Sequence, residues 1–165
     1  RKNVQALLDF YRNNAPESIS KQYDLRLAGQ HGWGEPSPDE LHDPDRGIIW
    51  EGRVSDRRLK QLYQNASLLV LPSLGEGFGM PILEAFRHRL PVVLSPLDVF
   101  REVAGKAAWY LPGFESSTDW VEVFQEALND PARRRLKTTI GLRRSRQFCW
   151  ADSANRYLSD VRRHG

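Results

Sequence analysis

Leu68 to Val93 reads LLVLPSLGEGFGMPILEAFRHRLPVV. Leu68 to Leu71 has the length and composition of a buried strand, and the following loop, Pro72 to Met80, is punctuated by glycine. Pro81 then stands where proline is favoured, in the first turn of a helix that runs to about His88. Pro91 to Leu94 begins the next strand. Strand, loop, helix and strand in this order make the repeating unit of a parallel sheet, which predicts an α/β fold with helices flanking the sheet. In open sheets of this kind ligands bind outside the carboxyl ends of the strands, where the glycine loop lies.

The same alternation extends in both directions. Val4, Leu7, Leu8 and Tyr11 form an i, i+3, i+4, i+7 stripe, and Leu25, Leu27 and Gly29 follow as a short strand running into a turn. Residues 32–47 contain three prolines and read as a loop with one short helix near Glu40. Ile48 to Trp50 is a second strand, and Ser55 can cap a helix whose inward face is Leu59, Leu62, Tyr63 and Ala66. Downstream, a short helix near Val99 to Val103 leads to a strand at Ala108 to Leu111, then a helix with Val121, Phe124 and Leu128 stops before Pro131. Two basic helices close the chain, the last carrying Ala154, Tyr157, Leu158 and Val161. No linker or repeat interrupts the pattern, so residues 1–165 are expected to be one domain. It opens on Arg1-Lys2-Asn3 directly before a helix, where an α/β domain normally opens with a strand; the expectation is a domain truncated at its N-terminus.

With 40% apolar and 27% charged residues over 165 positions, the chain can bury a real core. No apolar run approaches the roughly 20 residues that cross a bilayer, and no signal region opens the sequence. A lone cysteine, Cys149, has no partner for a disulfide or a CxxC motif, which fits a reducing, cytoplasmic setting and a small core or surface role. The net charge of +3 is unevenly spread: residues 132–165 hold ten Lys/Arg against Asp152 and Asp160, while residues 1–131 hold fourteen against nineteen acids. The basic tail reads either as the solvated face of two helices or as attraction to an anionic surface, with phospholipid headgroups ahead of nucleic acid because no RNA motif or zinc finger accompanies the arginines. His31, His42, His88 and His164 lack ligand spacing and read as surface residues, so neither a metal site nor a catalytic dyad is expected.

The loop carries the chemistry. Gly77 and Gly79 place no side chain between a ligand and the backbone, and the helix N-terminus adds roughly half a unit of positive charge with unpaired N–H groups, which suits phosphate. Glu76 and Glu84 flank this site. A carboxylate beside a phosphate is repelled unless it faces hydroxyls, so the pair points to a ligand with both phosphates and hydroxyls, a nucleotide sugar. Each acid also has a plainer reading, Glu84 as a first-turn acid favouring the helix dipole and Glu76 as an exposed loop acid.

Glu76-Gly-Phe-Gly-Met-Pro-Ile-Leu-Glu84 resembles the E-x7-E motif of the retaining GT-B family called glycosyl transferases group 1. Arg1-Lys2-Asn3 is similar to the family's basic segment after its first strand, Gly52 to Asp56 to the turn before a helix reading LYxxA, and Ser95 to Ala108 to a segment ending EVAGxAA. The resemblance implies the Rossmann-like C-terminal half of a GT-B enzyme. It would bind a UDP- or GDP-sugar without a metal and work with an N-terminal acceptor-binding half. On this resemblance Lys2, flanked by Arg1, holds the diphosphate and Glu76 the sugar hydroxyls. The amides of Gly77, Phe78, Gly79 and Met80 hold sugar and phosphates, Glu84 the ribose, and Val54 with its neighbours the base. Polysaccharide or lipid-linked glycan synthesis near the inner membrane face is the setting implied.

Two departures stand out: the family's Arg a few positions before the Lys falls ahead of Arg1, and Ala85-Phe86-Arg87-His88-Arg89 is bulky where the family is small and ends Cys-Gly. A non-catalytic nucleotide-sugar-binding or interaction module is the alternative. A dinucleotide GxGxxG fingerprint fails at Met80 and Ile82, and a GT-B epimerase would not be expected to show the EGFG loop. Trp150 and the helix around Tyr157 read either as packing back on the N-terminal half or as a local cluster with Phe148.

Overall fold

The computed structural model describes residues 1–32, 36–113 and 117–148. Five strands alternate with helices: β1 (Leu25–Ala28), β2 (Ile48–Gly52), β3 (Leu69–Leu71), β4 (Val92–Leu94) and β5 (Trp109–Tyr110). Among the described residues these strands pair with one another only in parallel, as intervening helices require. Leu25 lies opposite Ile48, Leu69 opposite Val92, and Val93 opposite Trp109, giving the orders β1-β2 and β3-β4-β5. The principal helices are α1 (Val4–Asp9), α2 (Glu17–Ser20), α3 (Pro38–Leu41), α4 (Asp56–Asn65), α5 (Met80–Arg87), α6 (Asp98–Ala104), α7 (Trp120–Asn129) and α8 (Pro131–Ser145).

Successive side chains of a strand point to opposite faces, and β4 shows the consequence. Val92 and Leu94 join a layer with Tyr63, Ile82, Phe86, Phe100 and Val103 from α4, α5 and α6, whereas Val93 joins Leu7 of α1, Phe10 just beyond it, and Trp120 and Phe124 of α7 on the other side. Helices therefore cover both faces of a parallel sheet. β4 is buried throughout, but β3 is only half-buried at every residue. This corrects the expectation of a buried strand at Leu68 to Leu71. β3 pairs with β4 alone, and among the described residues no strand lies on its other edge.

Local signals account for most element ends. Ser55 accepts a hydrogen bond from the Arg58 amide at 3.3 Å and starts α4, and Ser37 with Glu40 forms a reciprocal capping box on the short α3. The stripe from Val4 runs past α1 into a wider π-helical turn, Phe10–Asn14, closed by the Ala15 amide on the Phe10 carbonyl at 2.7 Å before Pro16. Buried Tyr11 anchors this turn by donating its hydroxyl to the Tyr23 carbonyl.

The bulky end of α5 has a structural counterpart. Phe86 is buried against Gly141 of α8, where an added Cβ would come within 2.5 Å of the Phe86 ring, while Arg87 and Arg89 point to solvent. A small residue on the facing helix thus accommodates the large one on α5. The readings made for Cys149, Trp150, Tyr157, His164 and the final helix lie outside the described residues.

Candidate functional site

The loop after β3 is moored from below. Pro72 and Ser73 are buried, and so is Ser95 at the end of the neighbouring β4. Ser95 Oγ donates to the Ser73 carbonyl at 2.5 Å, and the Ser95 amide donates to the Leu71 carbonyl at 3.0 Å. The Leu74 amide donates to the Arg1 carbonyl at 2.8 Å, which lays the opening residues of the chain along the same loop.

These contacts bring three of the expected site residues together. Glu76 has only 11% of its side chain exposed; its Oε1 accepts from Lys2 Nζ at 2.5 Å and from Ser73 Oγ at 3.0 Å. Arg1 lies 3.6 Å from Oε2 and also reaches the Gly75 carbonyl, Nε to O 3.4 Å. Burial alone would raise the Glu76 pKa, but the bonds from Lys2 and Ser73 and the charges of Lys2 and Arg1 outweigh it and hold the carboxyl below its usual range. Glu76 is therefore a fixed carboxylate rather than an exposed loop acid. Lys2 is half-exposed and has three N–H donors, so it retains donors for a second anionic partner.

Beyond Glu76 the loop opens. A Cβ on Gly77 would meet nothing within 4 Å, so its backbone faces open space. Gly79 is different: it has φ +94° and a Cβ there would sit 2.9 Å from Ile82 Cδ1 and 3.0 Å from Phe100 Cε1. Only glycine fits this bend, which delivers the chain into α5. No side chain caps the helix at this end, and among the described residues the amides of Gly77, Phe78 and Gly79 donate to no backbone acceptor. Phe78 and Met80 stand beside them with 41% of each exposed. Free amides, a helix N-terminus and apolar side chains make a surface suited to a phosphate joined to a larger group.

Glu84 lies just over one turn into α5, half-buried, and accepts from the Tyr63 hydroxyl at 2.7 Å. Tyr63 comes from α4 and its ring lies flat against His88, with centroids 5.6 Å apart and planes 5° apart. Val54 is half-buried in the turn between β2 and α4, again at a strand's carboxyl end. Among the described residues, no hydrogen bond joins it to the other expected site residues. His31 and His42 are exposed, and His42 Nδ1 accepts from the Trp50 amide at 3.2 Å.

Ser73, Ser95 and Tyr63 were not singled out for the site from sequence. Ser73 and Ser95 occur just past two neighbouring strands, a position that could have signalled loop mooring. Tyr63 read as one more apolar residue on the inner face of its helix.

An open parallel sheet with a glycine loop and a helix N-terminus at its carboxyl edge is a Rossmann-like arrangement, and solved structures bear out the GT-B fold. The chain superimposes on sucrose-phosphate synthase from Thermosynechococcus elongatus with a TM-score of 0.78 at 21% identity, covering 99% of this chain and 42% of that one. Anabaena HepE in complex with UDP gives 0.76 at 18% identity, covering 99% and 46%. The family model described as glycosyl transferases group 1 matches residues 1–130, and the chain belongs to that family. Among curated relatives, O-antigen chain mannosyltransferase B of Escherichia coli is 33% identical over 164 residues, 96% of this chain and 42% of its own length. Serotype-specific mannosyltransferase WbdA of Escherichia coli is 37% identical over 112 residues, 66% of this chain and 14% of its own length. The chain thus spans less than half the length of these relatives. Among the described residues no helix is long and apolar enough to cross a membrane.

Proposed function

We propose that this chain is the donor-binding half of a retaining glycosyltransferase that takes a UDP- or GDP-sugar and, with an N-terminal GT-B half, transfers the sugar to a glycan or lipid-linked acceptor. The observation that carries the reading is the Glu76 carboxylate, locked by Lys2 and Ser73 beside an open run of glycine-loop amides. An anion placed at the amides has Lys2 alongside the same loop, and a sugar attached to that anion has a carboxylate at hand for its hydroxyls. The names of the relatives, mannosyltransferases of O-antigen chains, support a hexose donor and a glycan acceptor.

In this reading the residues act mainly by binding and by stabilising charge. As the bond between sugar and diphosphate breaks, negative charge grows on the departing phosphate oxygens. Lys2 and the N-terminus of α5 stabilise that charge, and preorganised donors of this kind commonly supply the largest share of catalysis. Glu76 orients the sugar, Glu84 takes the ribose, and Val54 and its neighbours receive the base. Basic side chains and amides do the neutralising, so no metal is assigned.

A peripheral contact with anionic membrane is part of the proposal. α8 contains no acid, and it exposes Arg135, Leu136, Arg143 and, just beyond its end, Arg146. Co-sedimentation with phosphatidylglycerol vesicles, weakened by Arg135→Glu with Arg143→Glu, is the expected result; sedimentation indifferent to both changes would remove this part.

Ligand-observed NMR with UDP, GDP and ADP, repeated on Glu84→Ala, tests the donor site. Binding of one nucleotide, lost in the variant, is expected. Binding that survives Glu84→Ala undiminished would contradict the assignment. Donor binding by a full-length protein that transfers no sugar would favour the non-catalytic module.

A further inference from the structure

Glu84 is held by an uncharged partner. Tyr63 is only 8% exposed and donates to Oε2 across the α4–α5 interface at 2.7 Å. Among the described residues no other hydrogen bond and no ion pair reaches the Glu84 side chain, so Oε1 is left for a partner from outside. Burial first, and then the hydrogen bond to Glu84, push the phenol far above its ordinary value, so its proton stays in place and it donates at any working pH. The parallel His88 ring fixes the plane of the phenol. A hydrogen bond to a carboxylate in such a setting is of the stronger, charge-assisted kind.

The pair also has a place in the fold. α4 starts two residues after Val54, whose turn is assigned to the base, and Tyr63 stands near the other end of that helix. One rigid element therefore runs from the base turn to the acid assigned to the ribose.

We propose that Tyr63 is a positioning residue: it fixes the Glu84 carboxylate so that one oxygen is presented to a vicinal diol, which makes the domain select ribonucleoside diphosphates over dideoxy counterparts. This rests on the donor-site reading above. A fixed acceptor oxygen gains a hydrogen bond from a hydroxyl and meets an unpaired desolvation cost when the hydroxyl is missing. Freed of Tyr63, the carboxylate turns toward water and the distinction fades.

The test compares dissociation constants of UDP and GDP with those of their 2′,3′-dideoxy forms, for the wild-type chain and Tyr63→Phe. Phenylalanine keeps the ring, the core packing and the stack on His88, and amide spectra check the fold. The wild type is expected to prefer the ribose form by about tenfold or more, as befits hydrogen bonds to a charged group. Tyr63→Phe is expected to lower that preference by roughly fivefold or more while leaving the dideoxy affinity unchanged. An unchanged preference, or equal weakening of both forms, would overturn the positioning role and leave Tyr63 a packing residue. Equal affinity of the wild type for both forms would instead overturn the ribose assignment of Glu84.

Discussion

The two ends of α5 solve the same backbone problem in opposite ways. At the N-terminus the left-handed residue is Gly79, with no side-chain cap and a loop of free amides before it. At the C-terminus the left-handed residue is Arg89, with φ 54°. There the last carbonyls are satisfied: the Arg89 amide donates to Phe86 O at 3.0 Å and the Leu90 amide to Ala85 O at 2.9 Å, the paired bonds of a Schellman closure. One end is therefore shut and tolerates a residue glycine would replace with advantage. The other is left open and demands glycine. The donors left unpaired at the open end are the ones the proposed donor site uses for its anion.

The largest effect expected from this contrast is at the open end. Gly79→Val adds a branched side chain at φ +94° into Ile82 and Phe100. Backbone strain of about 1–2 kcal/mol and overpacking of about 1–3 kcal/mol should together lower unfolding free energy by about 2–5 kcal/mol in urea. A loss below about 1 kcal/mol would mean the bend is not fixed as described.

Gly141→Ala probes the seam that closes the other end, since its Cβ would meet the Phe86 ring at 2.5 Å. Overpacking, partly offset by the better helix propensity of alanine, should cost about 1–2 kcal/mol in the same measurement. Arg89→Gly should do the reverse. Relief of the left-handed strain exceeds the added freedom of the unfolded glycine, so a gain of about 0.5–1 kcal/mol is expected as a raised thermal midpoint. A lowered midpoint would show that the Arg89 side chain contributes more than its backbone costs.

The smallest effect concerns the mooring of Glu76. Its folded pKa lies below its ordinary value of 4.5, so its contribution to stability is present above about 4.5 and is lost as the pH falls through the folded value. Lys2 is half-exposed, and solvent screening keeps the contribution to a few tenths of a kcal/mol, at most about 1. Stability measured from pH 6 to pH 3 should fall less steeply in Lys2→Met than in the wild type. Parallel profiles would mean that Ser73, not Lys2, keeps the carboxylate charged.

Much of this could be read from the sequence where the signal is local. Ser55 announced α4, Pro81 announced α5, and apolar runs placed five strands whose parallel pairing follows from the helices between them. The loop's glycines and the two acids also stood out, because residue type and spacing are visible in one dimension. What did not show was partnership across distance. Phe86 reads as an intrusion until Gly141, 55 positions away, is found beneath it. Tyr63 has the spacing of a core residue, and only packing of α4 on α5 turns its hydroxyl to Glu84. The half-burial of β3 was hidden for the same reason: an apolar run reports the need for a cover, not which strand supplies it. The hydrogen bond that ties Tyr11 in the turn Phe10–Asn14 to the Tyr23 carbonyl is likewise not encoded in periodicity.

The central claim, that the open end of α5 and the loop before it receive a nucleotide-linked phosphate, is tested most directly by amide spectra of the ¹⁵N-labelled chain titrated with UDP, GDP and ADP. Saturable shifts largest at Gly77, Phe78, Gly79 and Met80, with a smaller set around Val54 and Tyr63, are expected for one nucleotide. Saturable shifts that avoid this loop and gather at the Arg89 end of α5 or along α8 would contradict it.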